Sequence, residues 1–118
     1  MPHPVAFFEV LSPDHERSQA FYGQLFGWHV APDPAMGGYA LVDTGAGEGA
    51  VPGGIGPGST PGEAGARFYV RVEDLEDTLA RAEQLGGSRL LPPTELPGGW
   101  GTIATVADPD GTTVGLWA

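Results

Sequence analysis

The sequence predicts an α+β fold made of two tandem βαβββ modules, on three observations. First, Phe7–Val30 returns as Arg67–Leu90 at a fixed offset of 60 without a gap, matching Phe8 to Phe68, Val10 to Val70, Asp14 to Asp74, Glu16 to Glu76 and Gln24 to Gln84. Second, each copy switches from strand-like alternation to helical spacing at an acidic residue. Third, the 20 glycines and 12 prolines gather between the periodic segments, where they act as turn chemistry and not as low-complexity filler. A chain of 118 residues fits one domain with a core of its own. The expected boundaries are 4–56 for the first module, 57–65 for a linker and 66–118 for the second.

The elements follow in order. Residues 5–11 alternate, with Phe8 and Val10 on one face and Phe7, Glu9 and Leu11 on the other. Asp14 is placed as an N-cap and Glu16 lies in the first turn, favourable against the helix dipole. Phe21, Tyr22, Leu25 and Phe26 read as a broad apolar face for the first helix, which Gly27 stops. Short strands are expected at 28–31 and 39–43, with Pro32, Pro34 and Gly37-Gly38 between them. From 45 to 65 the chain carries nine glycines and three prolines. A fourth strand around 50–55 must be irregular, because Pro52 has no ladder donor.

The second copy is cleaner. Residues 67–72 place Phe68, Val70 and Val72 on one face and Arg67, Tyr69 and Arg71 on the other. Asp74 caps a helix whose Leu75, Leu79, Ala82 and Leu85 form an apolar stripe. Strands are expected at 88–91, at 102–107 and at 112–118, the last two joined by Asp108-Pro109-Asp110-Gly111, a turn sequence with Pro and Gly at fitting positions.

Composition excludes several function classes. Fifteen acidic against five basic residues, with no lysine and a net charge of −10, argue against a nucleic-acid partner. The absence of cysteine removes disulfides, thiolate metal sites and cysteine nucleophiles. No apolar run is long enough for a membrane span and the N-terminus lacks a signal pattern, so a cytoplasmic protein with no membrane partner is expected. GAGEGA at 45–50 imitates a dinucleotide fingerprint, but Pro52 and Gly53-Gly54 stand where its helix would have to begin. No G-x-S-x-G motif is present.

If the repeated apolar faces pack beneath the helices, the opposite face is left for chemistry. It carries Phe7, Glu9, Arg67, Tyr69, Arg71 and Trp117, and Tyr39 and Trp100 are further candidates for a binding wall. Aromatic walls with a few orienting polar groups suit a small-molecule ligand. Glu9 has two readings: unpaired, it is a general base or an anchor for a cationic group; paired with Arg67 or Arg71, it is structural. Tyr69 is the other candidate for proton transfer.

The runs SPDHERSQAFYGQLFGW, VEDLEDTLARAEQLGG and ADPDGTTVGLW resemble the vicinal oxygen chelate superfamily, which includes glyoxalase I, extradiol dioxygenases and bleomycin resistance proteins. The resemblance covers nearly the whole chain and implies that the modules curve into a cup-shaped mixed sheet with the helices outside. It also implies a homodimer and, in metal-dependent members, a cation held by the first and last strands of each half. The corresponding positions here are Phe7, Arg67 and Gly115, and 51–56 contains no ligand residue. No metal or other cofactor is therefore expected, and His3, His15 and His29 lack helical ligand spacing. The expected function is metal-independent binding of a small organic molecule, an antibiotic or other secondary metabolite. The alternatives are a lyase or isomerase using Glu9 as general base, or a metal-dependent member with non-standard ligands.

Overall fold

In a computed structural model of the chain, residues 2–58 and 64–118 are described; the central part of the expected linker, 59–63, lies outside them. The chain divides into two compact units, Phe7–Ala66 and Arg67–Ala118, the second of which also takes in the residues up to Ala6. Each is an α+β module.

The first module runs β1 (Val5–Ser12), α1 (His15–Phe26), β2 (His29–Pro32), β3 (Ala40–Asp43) and β4 (Gly53–Pro57). Its strand order is β2-β3-β4-β1. β1 and β4 are parallel, whereas β3 is antiparallel to both β2 and β4. β4 begins only after Pro52, whose carbonyl still accepts the Phe8 amide at 3.1 Å, so the irregular strand is shifted toward the C-terminus of its expected range.

Asp14 caps α1 as its side chain implies: its carboxylate accepts the Arg17 amide at 3.1 Å. Gly27 closes the helix at φ 69°, a left-handed conformation that costs glycine least. The buried face of α1 is not the expected one. Phe21, Leu25 and Phe26 are 57%, 58% and 54% exposed, while Gln19 is buried and His15, Ser18, Tyr22 and Gly23 are half-buried. Those five residues form their own i, i+3, i+4, i+7, i+8 stripe. A polar residue turns the helix this way. The Gln19 amide donates 2.9 Å hydrogen bonds to the Gly38 and Ile55 carbonyls, and Ile55 is fully buried. A buried carbonyl left without its donor would cost about 1–3 kcal/mol. Tyr22 joins Phe8, Phe26 and Trp28 in an aromatic cluster, with Phe8 and Trp28 centroids 5.2 Å apart.

The second module runs β5 (Gly65–Arg71), α2 (Leu75–Gln84), β6 (Ser88–Glu95), β7 (Thr102–Ala107) and β8 (Thr113–Trp117), in the strand order β5-β8-β7-β6. β5 and β8 are parallel, and β7 is antiparallel to β8 and β6. β6 extends past its expected end at Leu91. Pairing with β7 slips around Pro92 and Pro93, which lack donors, and resumes at Thr94 opposite Ile103.

Asp74 caps α2 by accepting the Asp77 amide at 3.0 Å. Leu75 and Leu79 are buried with Val72, Ala104 and Leu116 in one core cluster. Leu85, the fourth member of the expected stripe, lies at the helix end and is exposed. Phe68 is also exposed, unlike its neighbours Val70 and Val72. Arg89 on β6 reaches back to α2, pairing with Glu76 at 2.7 Å and Glu83 at 2.8 Å. Its hydrogen bonds to Glu83 and then Glu76 raise its pKa above the ordinary arginine value. The pairs lie at the surface, where such bridges add little stability. The turn Asp108–Gly111 closes as its sequence implies, with the Gly111 amide on the Asp108 carbonyl at 2.9 Å.

Candidate functional site

In the first module the strand pairing decides which residues share a face. Glu9 pairs with Gly54 and Leu11 with Gly56 across β1 and β4, while Phe8 and Val10 pair with Gly53 and Ile55 on the opposite face. Ala40 and Val42 of β3 are buried on the Ile55 face. By alternation Tyr39, just before β3, falls on the Glu9 face. Its hydroxyl donates to Glu9 Oε2 at 2.8 Å.

Gly54 and Gly56 make this contact possible. A Cβ at Gly54 would collide with the Tyr39 hydroxyl and ring, and one at Gly56 would collide with the base of the same ring. Two glycines at i and i+2 thus form a flat floor under one phenol. The face offers a carboxylate acceptor and a phenol whose ring covers the glycine strip. A ligand group that meets Glu9 must be a donor or a cation.

The second module repeats half of this device. Tyr69 pairs with Gly115 across β5 and β8, and its ring covers the place a Gly115 side chain would occupy. Tyr69 is buried. Two residues on, the Arg71 guanidinium lies 4.5 Å over the Trp117 ring. The Trp117 indole donates to the Trp100 carbonyl at 2.7 Å, so Trp100 contributes its backbone to this arrangement while its side chain is half exposed.

Of the eight residues singled out for binding, Glu9 and Tyr39 come together in the first module, and Arg71, Trp117 and Trp100 in the second. Phe7 follows Glu9 by strand alternation, and Arg67 follows Tyr69 and Arg71. The glycine floor was missed from sequence. Its signal was Gly-Gly-Ile-Gly at 53–56, where alternate glycines mark a close approach by another group.

A model of the glyoxalase-like domain family matches residues 7–116. The chain belongs to that family. As a glyoxalase-like chain it is 31% identical, over an alignment 130 positions long, to anthracycline biosynthesis protein DauV of Streptomyces sp. (strain C5), covering 98% of this chain and 47% of that protein. It thus spans about half the length of the curated relatives it matches. Two solved structures are similar to it. A glyoxalase/bleomycin resistance protein/dioxygenase superfamily member from Vibrio splendidus 12B01 is 20% identical with a TM-score of 0.65, covering 98% of this chain and 97% of that one. Methylmalonyl-CoA epimerase from Mycobacterium tuberculosis is 15% identical with a TM-score of 0.64, covering 96% and 85%. At these identities the structures establish the fold, and the vicinal oxygen chelate scaffold read from the sequence is the observed one.

The metal of that superfamily does not fit the residues present. Phe7 and Gly115 offer no ligand atom and Arg67 brings a positive charge. Tyrosine rings fill the space above Gly54 and Gly115. Among the described residues no group of three His, Asp or Glu side chains is spaced to hold an ion. No helix among them is long and apolar enough to cross a membrane.

Proposed function

We propose that this glyoxalase-like chain binds a small organic molecule of the antibiotic or secondary-metabolite class on the Glu9 face of its first module, without a metal. The observation that carries this reading is the Tyr39 hydroxyl held 2.8 Å from Glu9 Oε2 above the Gly54 and Gly56 floor. The Tyr39 ring that covers the glycine strip offers an aromatic wall to a flat ring system, and the Glu9 and Tyr39 oxygens at its edge accept from a donor group. The net charge of −10 favours an amine-bearing ligand. The name of the relative DauV, an anthracycline biosynthesis protein, supports the same ligand class.

The test is isothermal calorimetry with an amine-bearing anthracycline. A hydrogen bond to a charged group contributes about 1.5–3 kcal/mol. Glu9→Gln is therefore expected to weaken binding by roughly 10- to 100-fold. Tyr39→Phe, which removes one neutral hydroxyl, should weaken it by about fivefold. Affinity unchanged in both variants would sink the reading.

The same pair of groups supports a second reading, a lyase or isomerase in which Glu9 takes a proton from the substrate. Glu9→Gln distinguishes the two. Retained affinity with lost turnover belongs to catalysis, whereas lost affinity belongs to binding.

A further inference from the structure

The second module holds a hollow of about 450 Å³, lined by Pro2, His3, Pro4, Arg71, Val72 and Glu73 among others. The hollow is open to solvent, so a small ligand would rest in it partly exposed. The Pro4 carbonyl accepts the Arg71 amide at 2.9 Å, which fastens the residues before β1 alongside β5 and builds one wall.

Arg71 is unlike the other arginines whose contacts are defined. Arg17 and Arg89 pair with carboxylates, and Arg81 donates to the Gln84 amide oxygen. In a chain with fifteen acidic residues, the Arg71 guanidinium has no carboxylate within 4.0 Å among the described residues and lies on an indole instead. That indole is itself fixed. Trp117 donates to the Trp100 carbonyl, and Gly101 leaves the room, since a Cβ there would lie 2.8 Å from Trp117 Nε1. A guanidinium held over a fixed ring keeps its N–H donors for a planar acceptor, and that fork matches a carboxylate.

We propose that this hollow is a second binding site, for a monoanionic organic acid with a small apolar or aromatic body. The carboxylate is received by Arg71 and the body rests on Pro2 and Pro4. The overall negative charge does not forbid this, because in physiological salt charges beyond about 8 Å are largely screened and the local cation decides. Glu73 on the same lining sets the selectivity. It opposes any anion, and a doubly charged one more strongly, so phosphate dianions and nucleotides are disfavoured relative to a monoanion.

Sodium benzoate is the probe, with the Trp117 Nε1–H resonance as reporter and benzylamine and inorganic phosphate as comparisons. Benzoate is expected to shift that resonance saturably and to bind more tightly than phosphate. Arg71→Met should weaken benzoate at least tenfold, and Arg71→Lys, which keeps the charge but loses the fork, by a smaller factor. Because Arg71 is exposed, both variants should retain the parent's circular dichroism spectrum. The proposal is overturned by no saturable shift in the parent, by equal benzoate affinity in Arg71→Met, or by benzylamine binding as well as benzoate.

Discussion

Leu79→Ala should destabilise the chain by about 2–5 kcal/mol, the largest effect expected of any single truncation in the second module. Leu79 is fully buried and sits with Val72, Leu75, Ala104 and Leu116, so the lost methyl groups leave a cavity bounded by α2, β7, β8 and the end of β5. Collapse is limited by the sheet, because Ala104 and Leu116 are held in register across β7 and β8. Leu85→Ala, at the exposed end of the same helix, should change stability by no more than about 0.5 kcal/mol. Urea denaturation of the pair checks both figures. Equal midpoints would mean that the apolar stripe of α2 is not packed as described.

Gly115→Ala should cost about 1–3 kcal/mol through overpacking. The new methyl group would fall against the Tyr69 ring, close to its base, and that ring is buried and cannot swing out. Gly54→Ala offers the contrast. There the colliding atoms are the hydroxyl and outer ring of half-buried Tyr39, which can rotate away. Its expected signature is therefore a smaller loss of stability with loss of the Tyr39–Glu9 hydrogen bond. A double-mutant cycle between Gly115→Ala and Tyr69→Leu measures the clash directly, since the coupling should offset much of the single-mutant cost. Strict additivity would show that the ring does not fill that space.

Much of the scaffold was legible because it rests on local rules. Asp14 and Asp74 could be recognised as caps from their place between an alternating and a helical segment, and both accept the amide three residues on. The face of α1 was not legible. Counting apolar residues selects Phe21, Leu25 and Phe26, whereas the helix is turned by hydrogen bonds from Gln19 to two backbone carbonyls 19 and 36 residues away. A long-range polar contact leaves no periodic trace in a sequence.

The candidate site was legible in its residue types and not in its grouping. Strand alternation put Glu9 on the functional face, but nothing local pairs it with Tyr39, thirty residues on. The alternate glycines of β4 carried the missing signal, and proline-led irregularity obscured it. The lesson is specific: a glycine pair at i and i+2 in a strand asks which side chain lies on top of it.

Calorimetric titration of the chain with an amine-bearing anthracycline, run after exhaustive chelation and again with a divalent cation restored, tests metal-free binding on the Glu9 face most directly. The expected result is the same affinity in both conditions, lost at least tenfold in Glu9→Gln. Binding that disappears on chelation and returns with the metal would contradict it.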